Sequence, residues 1–196
     1  MLNITTLTPS SGNVVEAADA MTAARIDGGA EVSVLFAGYV AAATRLAEHL
    51  LDRVLLTRSV RIEQLDWGVQ GGPRKGLYVT ISPVQEVLQV QWYDGAAWQV
   101  LAAPQYELLM ERAGCRIVPA LGVVWPTLAA GDGYRVRVDV RVGMASAGAD
   151  VPENIKLFIT AQAAYWFRHP AAATEAPMQP APNVERLLDI DRSWLI

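Results

Sequence analysis

The chain has 196 residues, of which 52% are hydrophobic and 18% charged, and its formal net charge at pH 7 is −4. This length allows one domain with a sizeable core, and the acidic balance argues against nucleic-acid binding through a clustered basic patch. The single cysteine, Cys115, excludes a disulfide framework, and no apolar stretch reaches the ~20 residues needed to cross a bilayer, so we expect a cytosol-made protein without a signal peptide or membrane segment.

Two helices are predicted in the first part of the chain, over about residues 14–26 and 31–53. Asn13 followed three residues later by Glu16 is typical of a capping box at a helix start. Asp27-Gly28-Gly29 supplies the glycines that commonly follow a helix end. The first helix is therefore predicted to be short and to end before a tight connection.

The second helix is apolar on nearly every side. Its main stripe consists of Leu35, Tyr39, Ala43, Leu46 and Leu50. Val32, Phe36 and Val40 form a second apolar face at helical spacing. A helix of this kind is central, either in its own core or in a subunit interface. We expect Val32, Phe36 and Val40 to contact the β block or a neighbouring subunit.

From Leu55 to about residue 142 the apolar period changes from 3.6 to 2, which predicts short strands separated by turns. Asp94-Gly95 marks the tip of a hairpin, and Trp92 and Trp98 are expected to pair across its arms. Tyr134, Val136, Val138, Val140 and Val142 alternate with Arg135, Arg137, Asp139 and Arg141. Strict alternation predicts an antiparallel sheet with one solvated face. The arginine row is read as that solvated face, with contact to phosphates or a partner's carboxylates as the alternative.

The last part of the chain contains a helix, a tether and a final apolar segment. Asp150 and Glu153 open the helix over about 150–169 with a second capping box. Residues 170–182 are rich in proline and alanine and can extend on the order of 40 Å at ~3.1 Å per residue. A final helix is predicted over about 184–196. Its apolar residues are Val184, Leu187, Leu188, Ile190, Trp194, Leu195 and Ile196.

Because an isolated helix of about 13 residues is marginal in water, the final helix must dock on a surface. That surface belongs either to another molecule or to the chain's own helical unit, and we expect another molecule. The whole pattern predicts an α+β fold, a small helical unit with an inserted antiparallel β block. The predicted parts are 1–54 (helical), 55–143 (β-sheet), 144–169 (core helix), 170–182 (tether) and 183–196 (anchoring helix).

The residues that would carry chemistry are scattered. His49 and His169 are far apart in sequence, Cys115 lies near neither, and no phosphate-cradling glycine loop or nucleophile elbow is present. We therefore expect no catalytic site, no metal and no cofactor. The six tryptophans leave a carbohydrate- or receptor-binding β-module as the alternative function. The apolar excess instead favours a protein that buries surface against copies of itself.

The order of the motifs resembles the head–tail connector (adaptor) proteins of long-tailed bacteriophages and gene transfer agents. The likeness begins with "AARID" (23–27) and the alanine-rich "LFAGYVAAATRLAEHLLDRVLLTRSV", and continues with the hairpin from Pro83 to Gly95. Trp125-Pro126, "ADVPENIK", "AAYWFRH" and "VERLLDIDRSW" follow in the same order as in the family. The chain departs from it in "YWF", where the family has a Trp-Tyr pair, and in the irregular loop "WGVQGGPRKG".

The resemblance implies a non-enzymatic protein of the virion neck, assembled in the host cytoplasm. Such adaptors form a ring, usually of twelve subunits, beneath the portal protein. The ring extends the conduit through which double-stranded DNA passes without sequence-specific binding, and it offers a docking surface to a downstream neck, stopper or tail protein. The final apolar helix would then contact the portal or a neighbouring subunit.

Overall fold

A computed structural model describes residues 2–68, 76–111, 114–169 and 181–191. Within these ranges the chain has three α-helices and eight strands, which confirms the predicted α+β class. The helices are α1 (Ala17–Ala24), α2 (Ala30–Leu51) and α3 (Glu153–Arg168). The strands are β1 (Leu2–Thr8), β2 (Arg58–Gln64), β3 (Leu77–Val79), β4 (Val84–Tyr93), β5 (Trp98–Leu101), β6 (Tyr106–Glu111), β7 (Gly114–Pro119) and β8 (Val136–Val142). Short 3₁₀ helices cover Ala103–Gln105, Gly148–Asp150 and Val184–Leu188.

The chain divides into a β unit, Met1–Ser10 with Thr57–Gly143, and a helical unit, Ser11–Leu56 with Met144–Ile196. The assignment of residues 1–54 to a helical part was wrong at its start, because β1 belongs to the β unit. This strand pairs antiparallel with β2, from Leu2 opposite Gln64 to Thr8 opposite Ser59. Most of its side chains are exposed, so it lacks the buried alternate positions that identify a strand from sequence.

The β unit contains two antiparallel sheets. The larger one has the strand order β1-β2-β8-β4-β5, and the smaller one has the order β3-β7-β6. β8 lies in the centre of the larger sheet, where its four valines are fully buried, as its alternating pattern predicts. Leu77, Val79 and Ile117 are buried in the smaller sheet.

The helical unit is built around α2, whose buried face consists of Phe36, Val40, Ala43, Ala47 and Leu51. The Phe36 ring meets the Phe167 ring of α3 edge-to-face, with 5.7 Å between centroids. Phe36 and Val40 therefore belong to the core of their own unit, and the prediction that they form a subunit interface was wrong. The predicted main stripe is partly outside, since Leu35 is 56% exposed. Val32 is half-buried against the same core.

The described end of the chain packs against its own helical unit. Leu188 is fully buried there, and Val184 and Leu187 are half-buried against the same core. The Asn154 amide nitrogen donates to the Leu187 carbonyl at 2.7 Å and to an Asp191 carboxylate oxygen at 2.6 Å. The expectation that this segment stays outside the subunit's own core was thus wrong for Leu188. The α-helix predicted over 184–196 is a 3₁₀ helix over Val184–Leu188, and Trp194, Leu195 and Ile196 lie outside the described residues.

The Gln162 side chain of α3 binds the start of the last described segment, residues 181–191. Its amide oxygen is buried in the core and accepts a hydrogen bond from the Ala181 backbone N–H at 2.7 Å. A buried amide without a partner would be costly. The returning segment supplies that partner, and Leu188 then completes the apolar core.

Candidate interaction surfaces

Three of the four charged side chains in the arginine row of β8 form ion pairs with side chains of the neighbouring strands. Arg61 of β2 donates two 2.8 Å hydrogen bonds to the Asp139 carboxylate, and the hydrogen bond to Asp139 raises the pKa of Arg61. Arg137 donates to Glu63 at 2.6 Å, and Arg141 donates to Glu86 at 2.7 Å. Arg137 and Arg141 are therefore paired with carboxylates rather than merely solvated, whereas Arg135 donates to the Leu65 and Ala129 backbone carbonyls at 2.8 Å.

Glu63 is the centre of one such network. Asn3 donates to its second carboxylate oxygen at 2.8 Å, which ties β1 to the same network. Burial raises the pKa of Glu63, but the hydrogen bonds from Arg137 and Asn3 outweigh it, so the pKa lies below its ordinary value. The Arg137 guanidinium also lies 3.7 Å from the centroid of the Trp98 ring. These interactions run across the strands and hold the sheet face together.

Four of the described tryptophans, Trp67, Trp98, Trp125 and Trp166, are engaged inside the subunit. Trp98 lies opposite Tyr93, and the expected pairing of Trp98 with Trp92 was wrong, because Trp92 lies opposite Gln99. The Asp94 carboxylate sets this register by accepting from the Ala96 and Ala97 N–H groups at 2.8 and 2.9 Å. Trp67 is nearly buried and stacks on Trp125 at 4.5 Å. A sugar platform needs open aromatic faces, so these engaged rings weaken the carbohydrate-binding alternative.

The side chains with reactive groups show no arrangement for catalysis in the described part of the chain. No cluster of three or more His, Cys, Asp or Glu side chains could hold a metal ion there. Burial raises the pKa of Cys115 to about 11, with the nearby Glu111 charge adding to the shift. The thiol is therefore protonated at neutral pH and is a poor nucleophile.

In the β unit, β6 combines an open edge with exposed apolar side chains. It is an outer strand of the smaller sheet, and Leu108, Leu109 and Met110 are all at least 40% exposed. Leu121 and Val124, in the loop after β7, are exposed by more than 80%. Open edges and clustered exposed apolar groups are typical of association surfaces. The sequence predicts a strand here, but its exposure depends on its place at the sheet edge.

In the helical unit, α2 presents a largely apolar face, different from both predicted stripes, to the outside. This outer face of α2 consists of Val34, Ala37, Gly38, Ala41 and Arg45, all exposed. By length and composition alone α2 could also cross a membrane, but its opposite face is buried against α1 and α3, as in a core helix of a folded unit. The Val34 side chain, the largest apolar group of this face, is 76% exposed. The sequence shows that α2 is apolar on nearly every side, but it does not show which side faces the core.

A groove of about 610 Å³ lies between α1 and α3. Glu16, Asp19 and Glu153 line the end where both helices begin, and Ala20, Ala23, Leu157 and Thr160 line it further along the two helices. Lys156 is also in the lining, where its ammonium pairs with Glu153 at 2.8 Å. This α1–α3 groove was not predicted, because it is made by residues far apart in sequence.

The residues predicted to bind the portal do not share one environment. Leu188 is buried, Val184 and Leu187 are half-buried, and Ile190 is 87% exposed. Of the predicted set within the described residues, Ile190 is the side chain most available to another molecule.

No protein-family model matches the chain, and no curated protein sequence matches it either. Solved structures match it along almost its whole length. A chain from the neck of an empty gene transfer agent (GTA) particle, computed with C6 symmetry, aligns with a TM-score of 0.72 and 24% identity over 100% of this chain and 97% of that one. A chain from the virion of a native GTA particle aligns with a TM-score of 0.73 and 19% identity, covering 98% and 96%.

A third match is a chain from the neck of a native GTA particle computed with C12 symmetry, with a TM-score of 0.63 and 20% identity over 97% of both chains. At these identities the likeness establishes a shared fold. The fold that the motif order implied is therefore confirmed across both units.

Proposed function

We propose that the protein is a structural component of a virion neck, an adaptor that forms a ring between the head and the tail. The observation that carries this proposal is the full-length likeness to neck chains, which covers 97% or more of both molecules in two separate neck structures. A likeness confined to one unit would fit many functions. A likeness that includes the β unit, the helical unit and their connections supports a shared role in assembly.

The surfaces fit that role. A ring subunit must bury apolar surface on its neighbours, and both units expose apolar side chains. DNA must pass through the ring without being held, and the chain has a net charge of −4 with its β8 arginines paired or bonded to backbone carbonyls. Such a surface makes few of the phosphate contacts that dominate non-specific DNA binding.

Portal contact, in this proposal, is made by the end of the chain from Ile190 onward. Leu188 fixes the segment on its own subunit, and Ile190 immediately beyond it is 87% exposed. An Ile190→Asp variant should keep its thermal stability and lose affinity for the portal ring. Unchanged portal binding by this variant would overturn the assignment of Ile190 to the contact.

The neck function is tested by removing the gene from the cells that produce the particles. DNA-filled heads without tails, seen by negative-stain electron microscopy, are the expected result, with tails restored when the gene is supplied in trans. Normal tailed particles in the absence of the chain would refute a neck function. A restored stock that carries Phe36→Asp should remain tailless, because the folded subunit is then missing.

A further inference from the structure

The outer face of α2 has the composition of a contact surface, and none of the described residues covers it. Val34, Ala37, Gly38, Ala41 and Arg45 recur at three- and four-residue spacing and share one side of the helix. This side points away from the buried side of α2, which contains Phe36, Val40 and Leu51. A Cβ placed on Gly38 would meet no atom within 4 Å, so nothing in the described subunit requires a glycine there. Glycine in a helix interior is destabilising relative to alanine, and close approach of another chain would account for it.

The α1–α3 groove lies on the other side of the helical unit. Glu153, Lys156, Leu157 and Thr160 of α3 line it, whereas the α3 residues that pack in the core, such as Phe158 and Gln162, occupy the opposite side of the same helix. Leu157 is 52% exposed within it. The unit therefore carries a protruding helix face on one side and an open groove on the other.

The charges of the two surfaces are complementary and ordered along them. Arg45 stands at the C-terminal end of the outer α2 face, and no carboxylate pairs with it among the described residues. Glu16 and Asp19 stand at the end of the groove where α1 begins. Lys156 pairs with Glu153, so the lysine does not compensate the charges of Glu16 and Asp19. An α2 helix that lay antiparallel to α1 and α3 would bring Arg45 to the acidic end.

We infer that the outer face of α2 in one copy seats in the α1–α3 groove of the next copy, with Arg45 beside Glu16 and Asp19. This inference rests on the proposed ring. Two different, complementary patches on opposite sides of the helical unit make a heterologous contact, which generates rings when the rotation closes. Small residues at Ala37, Gly38 and Ala41 let the helices approach closely, as helix packing at 8–10 Å requires. The antiparallel arrangement places Gly38 near Ala23.

Cysteine cross-linking of the full chain tests this geometry. The double variant Gly38→Cys/Ala23→Cys, oxidised at high protein concentration and again with the portal ring present, should give a ladder of covalent oligomers on non-reducing gels. Each single variant should give no covalent oligomers on the same gels, because in a head-to-tail contact Gly38 never faces Gly38. Gly38→Cys/Ala18→Cys is the matched control, since Ala18 is an exposed alanine of α1 that does not line the groove.

The outcomes separate this interface from the ring itself. Rings without a ladder, or an equal ladder with Ala18→Cys, would overturn the interface and leave the neck function standing. Dimers from Gly38→Cys alone would replace it by a symmetric α2–α2 contact. Flotation of the full chain with vesicles of phosphatidylcholine and phosphatidylglycerol would assign the α2 face to lipid and overturn the inference. Absence of any oligomer, even with the portal ring, would overturn the proposed ring as well.

Discussion

Replacing Leu188 with alanine should destabilise the helical unit substantially, although Leu188 lies close to the end of the chain. The side chain is fully buried in the core that also contains Phe36, Phe158 and Trp166. A Leu→Ala change at a buried site costs about 2–5 kcal/mol, since the lost transfer free energy adds to the cost of the cavity. For chains of this size each kcal/mol lowers the melting temperature by roughly 2–4 °C.

The assay is thermal and urea unfolding of the full chain, followed by circular dichroism at the helix signal. Ile190→Ala is the matched control, because Ile190 is 87% exposed and surface changes of this kind usually stay within about 0.5 kcal/mol. The docked segment also predicts that deleting 183–196 destabilises the free subunit. If Leu188→Ala melts with the wild type while retaining the same unfolding slope, the segment is not docked on the core in solution and the assignment of Leu188 to it fails.

Three further predictions concern other parts of the fold. Phe36→Asp should fail to fold, because its carboxylate would be unpaired in the core. Val34→Asp, on the outer face of α2, should stay folded and lose assembly. A Phe36→Asp protein that is folded by circular dichroism would contradict the assignment of Phe36 to the core. The depressed pKa of Glu63 means that its contribution to stability is present above the ordinary value of 4.5 and is lost as the pH falls below it. Urea unfolding between pH 3 and 7 should therefore show a steeper acid loss for the wild type than for Glu63→Gln, and identical pH profiles would refute the pairing. Cys115, with its pKa raised to about 11, should not react with a thiol reagent at pH 8 in the native protein and should react after unfolding in guanidinium chloride; rapid reaction in the native state would show that the smaller sheet opens readily.

The sequence was sufficient where one face of an element is clearly different from the other. β8 is predicted correctly because its valines and charged residues alternate without exception, and burial of the valines follows from that pattern. α2 and α3 are predicted within a few residues because their apolar periods are long and turn residues bound them. α2 shows the limit: both of its faces are apolar, and only its packing partners decide that Phe36 faces inward and Val34 outward.

Contacts between strands could not be read from the sequence because they depend on register. Arg61 lies directly opposite Asp139, and Glu63 directly opposite Arg137, once β2 and β8 are aligned. Without that alignment the arginine row looks like a free basic face. The prediction for the last segment was wrong for a related reason, since an amphipathic segment fits any apolar surface. The Asn154 and Gln162 amides that bind this segment give no periodic signal in the sequence.

The most direct test of the neck proposal is a cryo-electron microscopy reconstruction of the neck of particles that contain this chain. We expect a closed ring of copies below the portal, each with the two sheets and the three-helix unit described above, and α2 of one copy in the α1–α3 groove of the next. Twelvefold symmetry, as in the neck of the native particle computed with C12 symmetry, is the expected arrangement. A neck reconstruction in which no density fits this fold, or in which the chain is found only outside the neck, would contradict the proposal.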